Sequence, residues 1–188
     1  LKDAGHTVFY AGGAVRDQLR GQEPKDYDIA TSATPKEVQS LFSKSDAIGE
    51  HFGVILVKQG SEAVEVATFR TDGLYQNGRS PESVTFSTPE VDSSRRDFII
   101  NGLFQDPFSG EIIDFVDGRA DLEAVLLRAI RDPSKRFQED ALRLLRAVRF
   151  ATCSGFEIEE GTLAAMKKNA PLLQRISPKR IRDELSHI

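Results

Sequence analysis

The hydrophobic and polar positions at the start of the chain predict a strand, a tight turn, a short helix and a second strand. Residues 8–10 are apolar and lead directly into Gly12 and Gly13. Residues 15–19 have helical composition, and residues 25–30 again have the composition of a strand. A unit of this kind places the glycine turn beside the second strand.

A later run, residues 64–70, also has strand composition. Side chains alternate between the two faces of a strand, so Val64, Val66 and Thr68 are expected on one face. Glu65 is expected on the other face, between two alanines. A polar position on an edge strand would explain that glutamate equally well, and both interpretations stay open.

The pattern changes in the second half of the chain. Residues 1–113 are rich in strand signals and turn residues, whereas helical periodicity dominates afterwards. We expect helices over residues 118–129, 133–155, 160–168 and 179–187, with the second ending at Gly155. The pattern therefore predicts an α+β domain of residues 1–118 followed by a helical domain of residues 119–188.

Composition adds a few limits. With 188 residues, 39% hydrophobic and 29% charged, the chain is long enough to bury a real core. Its single cysteine excludes an internal disulfide framework and, with the absence of an apolar leader or spanning run, favours a cytoplasmic protein without membrane contact. The net charge of −4 argues against a uniformly basic nucleic-acid binder, although it allows a local basic surface.

Two carboxylates, Asp26 and Asp28, stand at the predicted second strand. On one strand they would share a face, close to backbone N–H groups of the glycine turn. Mg²⁺ takes few protein carboxylates and binds phosphate oxygens, so this arrangement suits a metal-bound phosphate, and two ions suit an in-line phosphoryl displacement. Glu65 could complete the coordination or accept a proton from a sugar hydroxyl. A solvated turn is the alternative for the aspartates.

The predicted helix after residue 136 carries polar residues at every third position: Asp140, Arg143, Arg146 and Arg149. Such spacing is typical of a solvated, salt-bridged helix face, but three arginines without a lysine also suit planar recognition of phosphates and base edges. An aspartate only accepts hydrogen bonds and an arginine only donates them. A close Asp140–Arg143 pair would therefore match the acceptor and amino donor of cytosine or adenine and reject uracil and guanine.

Taken together, these segments resemble the class II tRNA nucleotidyltransferases, that is, the CCA-adding enzymes, and the related bacterial poly(A) polymerases. The resemblance rests on three segments in the family's order: residues 12–17 (GGAVRD) with the two aspartates, residues 95–103 (RRDFIINGL), and residues 139–150 (EDALRLLRAVRF). Ile99 and Gly102 depart from the threonine and alanine expected in the second segment.

The resemblance implies a nucleotidyltransferase-fold head, a mixed β-sheet with flanking helices, followed by an all-α neck, with the family's body and tail absent. Mg²⁺ would be held by Asp26 and Asp28, with Glu65 as the third catalytic acid. The nucleotide would be bound by the remaining site residues: Gly12, Gly13, Arg16, Arg96, Asp140, Arg143, Arg146 and Arg149.

The implied reaction transfers CMP or AMP from CTP or ATP to the 3′ end of tRNA or another RNA, with release of pyrophosphate and without a template. A loop of residues 70–81 resembles the family's loop for the switch to ATP. A poly(A) polymerase, a CC- or A-restricted relative, and an inactive nucleotide- or RNA-binding module remain alternatives. The sequence leaves the acceptor RNA and the oligomeric state open.

Overall fold

The computed structural model describes residues 1–76 and 80–188. The strands in this part of the chain are β1 Val8–Ala11, β2 Asp28–Thr31, β3 Ser45–Gly49, β4 Val54–Gln59, β5 Glu62–Thr68, β6 Arg70–Asp72, β7 Tyr75–Gln76, β8 Ser80–Pro81, β9 Val84–Phe86, β10 Phe104–Gln105, β11 Ile112–Ile113, β12 Leu126–Leu127 and β13 Glu157–Ile158. The α-helices are α1 Gly13–Leu19, α2 Pro35–Leu41, α3 Pro89–Ser94, α4 Gly118–Glu123, α5 Pro133–Glu139, α6 Leu142–Ser154, α7 Glu160–Asn169 and α8 Pro178–Leu185. Short 3₁₀ turns cover Lys2–Ala4, Glu50–Phe52, Ile99–Asn101 and Ala170–Arg175.

Seven of the strands form one mixed sheet in the order β11-β10-β1-β2-β5-β4-β3. The β2–β5 pair is parallel and its neighbours are antiparallel. Val38 of α2 packs against Ile55 and Val66 of the sheet, while Val15 of α1 belongs to the largest core cluster of the chain. The expected mixed sheet with flanking helices is confirmed.

The predicted strand over residues 25–30 begins only at Asp28. Its pairing with β1 runs from Val8 opposite Thr31 to Ala11 opposite Asp28, and β1 ends at Ala11 because the chain turns at Gly12. Asp26 therefore has no strand partner and lies in the segment without regular secondary structure that precedes β2. The assumption that both aspartates lie on one strand was wrong for Asp26.

Two of the predicted helices are shorter than expected. The one predicted over residues 118–129 ends at Glu123, since Val125 has a positive φ of 52°, and β12 then pairs in parallel with β13. The part of the chain expected to be all-helical thus also contains a short ladder.

The helix predicted over residues 133–155 divides at Asp140, which is extended (φ −140°) and accepts a hydrogen bond from the Leu142 N–H at 3.0 Å. Gly155 ends α6 in the left-handed conformation, as predicted.

One departure from the family pattern has a packing reason. A Cβ on Gly102 would lie 2.6 Å from Cγ2 of Val116 and 3.3 Å from the Ile99 carbonyl oxygen. The alanine expected from the resemblance would not fit without a shift of Val116. Among the described residues, no helix is both long enough and apolar enough to cross a membrane.

Candidate active site

The strand register places Asp28 beside Glu65 and beside the end of β1. Ile29 of β2 lies opposite Val66 of β5, so Asp28 comes beside Glu65 one residue earlier in this parallel pair. On the other side, Asp28 pairs with Ala11, directly before the Gly12 turn. Val66 and Thr68 are buried whereas Glu65 is exposed, which confirms the predicted faces of β5.

These acids have no ion-pair partner in the described part of the chain. Within residues 1–76 and 80–188, the side chains of Asp26, Asp28 and Glu65 take part in no ion pair or hydrogen bond. Desolvation, and then the charge of Asp26, raise the pKa of Asp28 against the opposing effect of Arg96. Desolvation raises the pKa of Glu65 as well, followed by the charges of Asp28 and Asp26. The three carboxylates therefore repel one another.

The arrangement of Asp26, Asp28 and Glu65 limits which of them are candidate metal ligands. No group of three or more His, Cys, Asp or Glu in the described part of the chain is arranged so that it could hold a metal ion. Asp26 and Asp28 form the candidate pair of ligands, and the structure does not place Glu65 with them in a three-acid group. Mg²⁺ prefers oxygen ligands, and carboxylates that are not paired with an arginine or lysine can supply them.

The turn after β1 needs glycine at its first position. Gly12 has φ 66° and ψ −122°, and a Cβ there would lie 2.9 Å from Nη1 of Arg96. Such a backbone conformation is unfavourable for other residues. Gly12 therefore lets the Arg96 guanidinium lie directly over the turn. That guanidinium also lies 5.0 Å from the ring centroid of Phe104.

The carboxylate of Asp92 holds Arg96 in this place. Asp92 is 1% exposed and accepts hydrogen bonds from Nη2 of Arg96 at 3.0 Å and from Nε of Arg95 at 2.9 Å. It also accepts a bond from the Arg70 N–H. Burial would raise the pKa of Asp92, but the charges of Arg96 and Arg95 outweigh it and lower that pKa. This carboxylate is thus neutralised inside the protein.

A second buried carboxylate, Asp97, connects the sheet domain to α6. Its Oδ2 accepts from Nε of Arg146 at 2.7 Å, and its Oδ1 accepts from the Asn101 amide nitrogen at 3.0 Å. The Asn101 amide oxygen in turn accepts from Nη1 of Arg16 at 2.8 Å. Burial would raise the pKa of Asp97, but the charge of Arg146 and hydrogen bonds from Asn101 and the Phe98 N–H lower it to about 2.

The expected pair of Asp140 and Arg143 is not formed in this structure. Asp140 accepts from Nη2 of Arg180, in α8, at 2.9 Å. Arg143 donates instead to Glu139 at 2.8 Å and to the Arg136 carbonyl at 2.9 Å. The reason is the break between α5 and α6, which removes Asp140 from the helix that carries Arg143.

Two further side chains surround this region. Arg149 donates to Glu184 at 2.6 Å and its guanidinium lies 4.9 Å from the ring centroid of Phe150. The Tyr75 hydroxyl donates to Asp72, and the Tyr75 ring lies 5.9 Å from the Arg143 guanidinium. Desolvation and this hydrogen bond raise the pKa of Tyr75 to about 12.

Tyr75 belongs to the 70–81 loop that sequence reasoning singled out. The structure pairs β6 with β9 and β7 with β8 in this region, and residues 77–79 of the loop lie outside the described residues.

Most of the expected site residues line one cleft of about 830 Å³ between the sheet edge and the helical part. Those that line it are Gly12, Gly13, Arg16, Asp28, Arg96, Asp140, Arg143, Arg146 and Arg149. Asp26 and Glu65 are not among its lining residues. Among the described residues, eight arginines and four aspartates line the cleft, so its charge suits a polyanionic ligand.

Sequence reasoning missed several residues that line this cleft: Arg70, Tyr75, Arg95, Asp97, Asn101 and Arg180. Asp97 and Asn101 lie inside the 95–103 segment, where an acid and an amide next to arginines were an available signal. Arg180 lies in a basic stretch of residues 175–182 (RISPKRIR), whose charge alone does not indicate this cleft. Nothing in the spacing of the chain indicated Tyr75.

Comparison with known proteins agrees with this geometry. Residues 8–128 match the family model of the poly(A) polymerase head domain, and residues 155–188 match a family described as the probable RNA- and SrmB-binding site of polymerase A. A CCA-adding enzyme of Lactobacillus helveticus is 47% identical over 98% of this chain and 46% of its own length. One of Geobacillus stearothermophilus is 43% identical over 100% of the chain and 46% of its own length. The chain spans about half the length of the curated relatives it matches.

Solved structures show the same relationship. The Bacillus stearothermophilus CCA-adding enzyme in complex with CTP superimposes with a TM-score of 0.91 at 41% identity, over 100% of this chain and 45% of that one. The Thermotoga maritima CCA-adding enzyme complexed with tRNA gives a TM-score of 0.79 at 27% identity, over 99% and 43%. The head-domain match covers more than half of the 188 residues, and the resemblance seen in the sequence is confirmed. The chain belongs to the family of poly(A) polymerase head domains, and the relatives it matches are CCA-adding enzymes.

Proposed function

We propose that this chain is the catalytic part of a template-independent RNA nucleotidyltransferase, which adds CMP and AMP from CTP and ATP to the 3′ end of tRNA. The observation that carries the proposal is the pair Asp26 and Asp28, which has no ion-pair partner among the described residues and of which Asp28 lines the arginine-rich cleft. Relatives named as CCA-adding enzymes, one of them solved with CTP and one with tRNA, support it. The division into residues 1–118 and 119–188 and a cytoplasmic location belong to the same proposal.

The donor set of the acidic edge fits Mg²⁺. Asp26 and Asp28 offer carboxylate oxygens that no arginine or lysine of the described chain neutralises. Bound there, one or two Mg²⁺ ions would neutralise charge on the transferred phosphoryl group and orient the attacking and leaving oxygens. Glu65 lies next to Asp28, and its raised pKa suits acceptance of a proton from the 3′-hydroxyl of the RNA.

The arginines of the cleft would bind the rest of the nucleotide. Arg16, Arg146 and Arg149 surround the Phe150 ring with their guanidinium groups 4.9, 5.6 and 4.9 Å from its centroid. Guanidinium groups donate to phosphate oxygens in fixed planar geometry, so this cluster would hold the triphosphate. Arg96 lies over the Gly12 turn and would contact the nucleotide between that turn and the acids.

Base choice would come from Asp140 and Arg143. An acceptor beside a donor matches cytosine and adenine and opposes uracil and guanine. In this structure Asp140 is paired with Arg180 and Arg143 with Glu139. Nucleotide binding would therefore exchange part of these internal bonds for bonds to the base.

The test is incorporation by the longest available form of the protein, with Mg²⁺, each labelled nucleoside triphosphate, and tRNA that ends before CCA, after one C or after both. Ordered addition of C, C and A followed by arrest is expected. Untemplated runs of A on varied RNAs would instead show a poly(A) polymerase. Nucleotide binding without incorporation would show an inactive binding module.

A further inference from the structure

The carboxylate of Asp97 uses both of its oxygens inside the protein. Oδ2 lies 2.7 Å from both Nε and Nη2 of Arg146, and Oδ1 accepts from the Phe98 N–H at 2.8 Å and from Asn101 at 3.0 Å. Its side chain is only 9% exposed. Asp97 therefore has little capacity left for a ligand, although it lines the cleft.

Asn101 extends this arrangement to a second arginine. Its amide nitrogen donates to Asp97 at 3.0 Å and its amide oxygen accepts from Arg16 at 2.8 Å. A carboxylate only accepts and a guanidinium only donates, so one orientation of the amide satisfies both neighbours and the flipped orientation satisfies neither. The charge of Asp97 thus fixes the amide of Asn101, and Asn101 fixes Nη1 of Arg16, whose Nε and Nη2 are held by Asp17 at 2.8 and 2.7 Å.

The two arginines belong to different parts of the molecule. Arg16 is on α1 beside the sheet, whereas Arg146 is on α6 in the helical part, and both guanidiniums lie against the ring of Phe150. A free arginine side chain loses considerable rotamer entropy when it binds a ligand, and preorganisation lowers that cost. Asp97 holds Arg146 directly and Arg16 through Asn101. It would therefore lower the entropy that the two arginines lose when an anion binds in the cleft.

We propose that Asp97 is a positioning residue that sets Arg146 directly, and Arg16 through Asn101, at the separation required by the phosphates of a nucleoside triphosphate. The identity of this ligand rests on the proposed function. The coupling itself rests on three hydrogen bonds: Arg146 donates to Asp97, Asn101 donates to Asp97, and Arg16 donates to Asn101.

Three variants of the chain test the coupling: Asp97→Asn, Asn101→Ala and the double variant. Binding of inorganic pyrophosphate and of CTP is measured by calorimetry, and the Nε–H signal of Arg146 and the Nη1–H signal of Arg16 are followed by NMR. Asp97→Asn should weaken both ligands roughly tenfold, and Asn101→Ala about threefold, as loss of charge-assisted hydrogen bonds implies. The double variant should be no weaker than Asp97→Asn, because both changes interrupt one chain of contacts.

The NMR signals separate positioning from a loss of stability. In Asp97→Asn the Nε–H signal of Arg146 and the Nη1–H signal of Arg16, which donates to Asn101, should both shift, although Asp97 does not contact Arg16. In Asn101→Ala the Arg16 signal should shift while the Asp97–Arg146 pair persists. A matched control is Asp121→Asn, which removes a buried carboxylate that pairs with Arg128 at 3.2 Å and does not line the cleft. It should leave pyrophosphate affinity unchanged.

The outcomes are distinct. Unchanged pyrophosphate affinity and an unchanged Arg16 signal in folded Asp97→Asn would overturn the positioning role. If Asp97→Asn fails to fold, Asn101→Ala decides through the same two measurements. A wild-type chain that binds neither pyrophosphate nor CTP would overturn the proposed function and the ligand assigned to the arginines, whatever the NMR signals show.

Discussion

Two sets of carboxylates, each with one member in the cleft and one beside it, are in opposite electrostatic states. Asp28 and Glu65, at the sheet edge, have raised pKa values and no arginine or lysine partner among the described residues. Asp92 and Asp97, deeper in the protein, have lowered pKa values because arginines hold them. The sheet edge and the buried network thus differ in how their charge is compensated.

The difference indicates that the two sets of carboxylates have different roles. Buried carboxylates with arginine partners have no remaining demand for a cation, so their role is to fix the arginines that face the cleft. Carboxylates that repel one another destabilise the folded protein and are retained where an external cation or a proton can compensate them. The proposed Mg²⁺ ligands and the proposed positioning residues can be told apart on this basis.

The largest effect is expected at the sheet edge. Asp28→Ala should lower the initial rate of CMP incorporation by roughly 10³-fold, because it removes a ligand for the ion that stabilises the transition state. The free energy of unfolding should stay the same or rise, since mutual repulsion with Asp26 is removed. Incorporation assays and urea denaturation measure the two quantities.

The control for that variant is Glu62→Gln, an exposed acid of the same strand as Glu65, paired in register with Gln59. It should leave the rate of incorporation unchanged. A rate above a tenth of wild type in Asp28→Ala would contradict the assignment of Asp28 as a metal ligand.

Substitution of a buried carboxylate should instead lower the free energy of unfolding. Asp92→Ala leaves Arg95 and Arg96 without their shared carboxylate, and we expect the free energy of unfolding to fall by about 3 kcal/mol. Asp46→Ala removes an ion pair with Lys58 that is half exposed on both sides, and should cost less than about 1 kcal/mol. Equal losses in urea denaturation of the two variants would show that burial of Asp92 has no energetic consequence.

The pH dependence of stability tests how the buried carboxylate of Asp97 is paired. The pKa of Asp97 is lowered from 3.8 to about 2 on folding, so its stabilisation is present above pH 3.8 and is lost as the pH falls toward 2. The difference in free energy of unfolding between wild type and Asp97→Asn should therefore shrink by about 2 kcal/mol between pH 6 and pH 2. A difference that stays constant over this range would contradict the pairing of Asp97 with Arg146.

Local parts of this comparison were visible in the sequence. The Gly12 turn and the faces of β5 follow from glycine chemistry and strand alternation, both of which act over a few residues. The partner of Asp140 is Arg180, forty positions later, and only the packing of α8 on α6 brings them together. The period of three from Asp140 to Arg149 concealed the helix break, even though an aspartate that accepts from the N–H two residues later, as Asp140 does from Leu142, is typical of a turn.

The smallest effect is expected for the stabilisation of the folded protein by Mg²⁺. The same measurement tests whether Glu65 is a ligand of the ion. At about ten times its dissociation constant, an ion that binds only the folded state adds about 1.4 kcal/mol, or roughly 3 to 5 °C in melting temperature. Wild type should show this shift, and Asp26→Asn and Asp28→Asn should not. Glu65→Gln should keep a reduced shift, because the described residues hold no three-acid group and Glu65 acts through its charge beside Asp28. Complete loss of the shift in Glu65→Gln would instead make Glu65 a ligand, and an undiminished shift in Asp28→Asn would place the ion elsewhere.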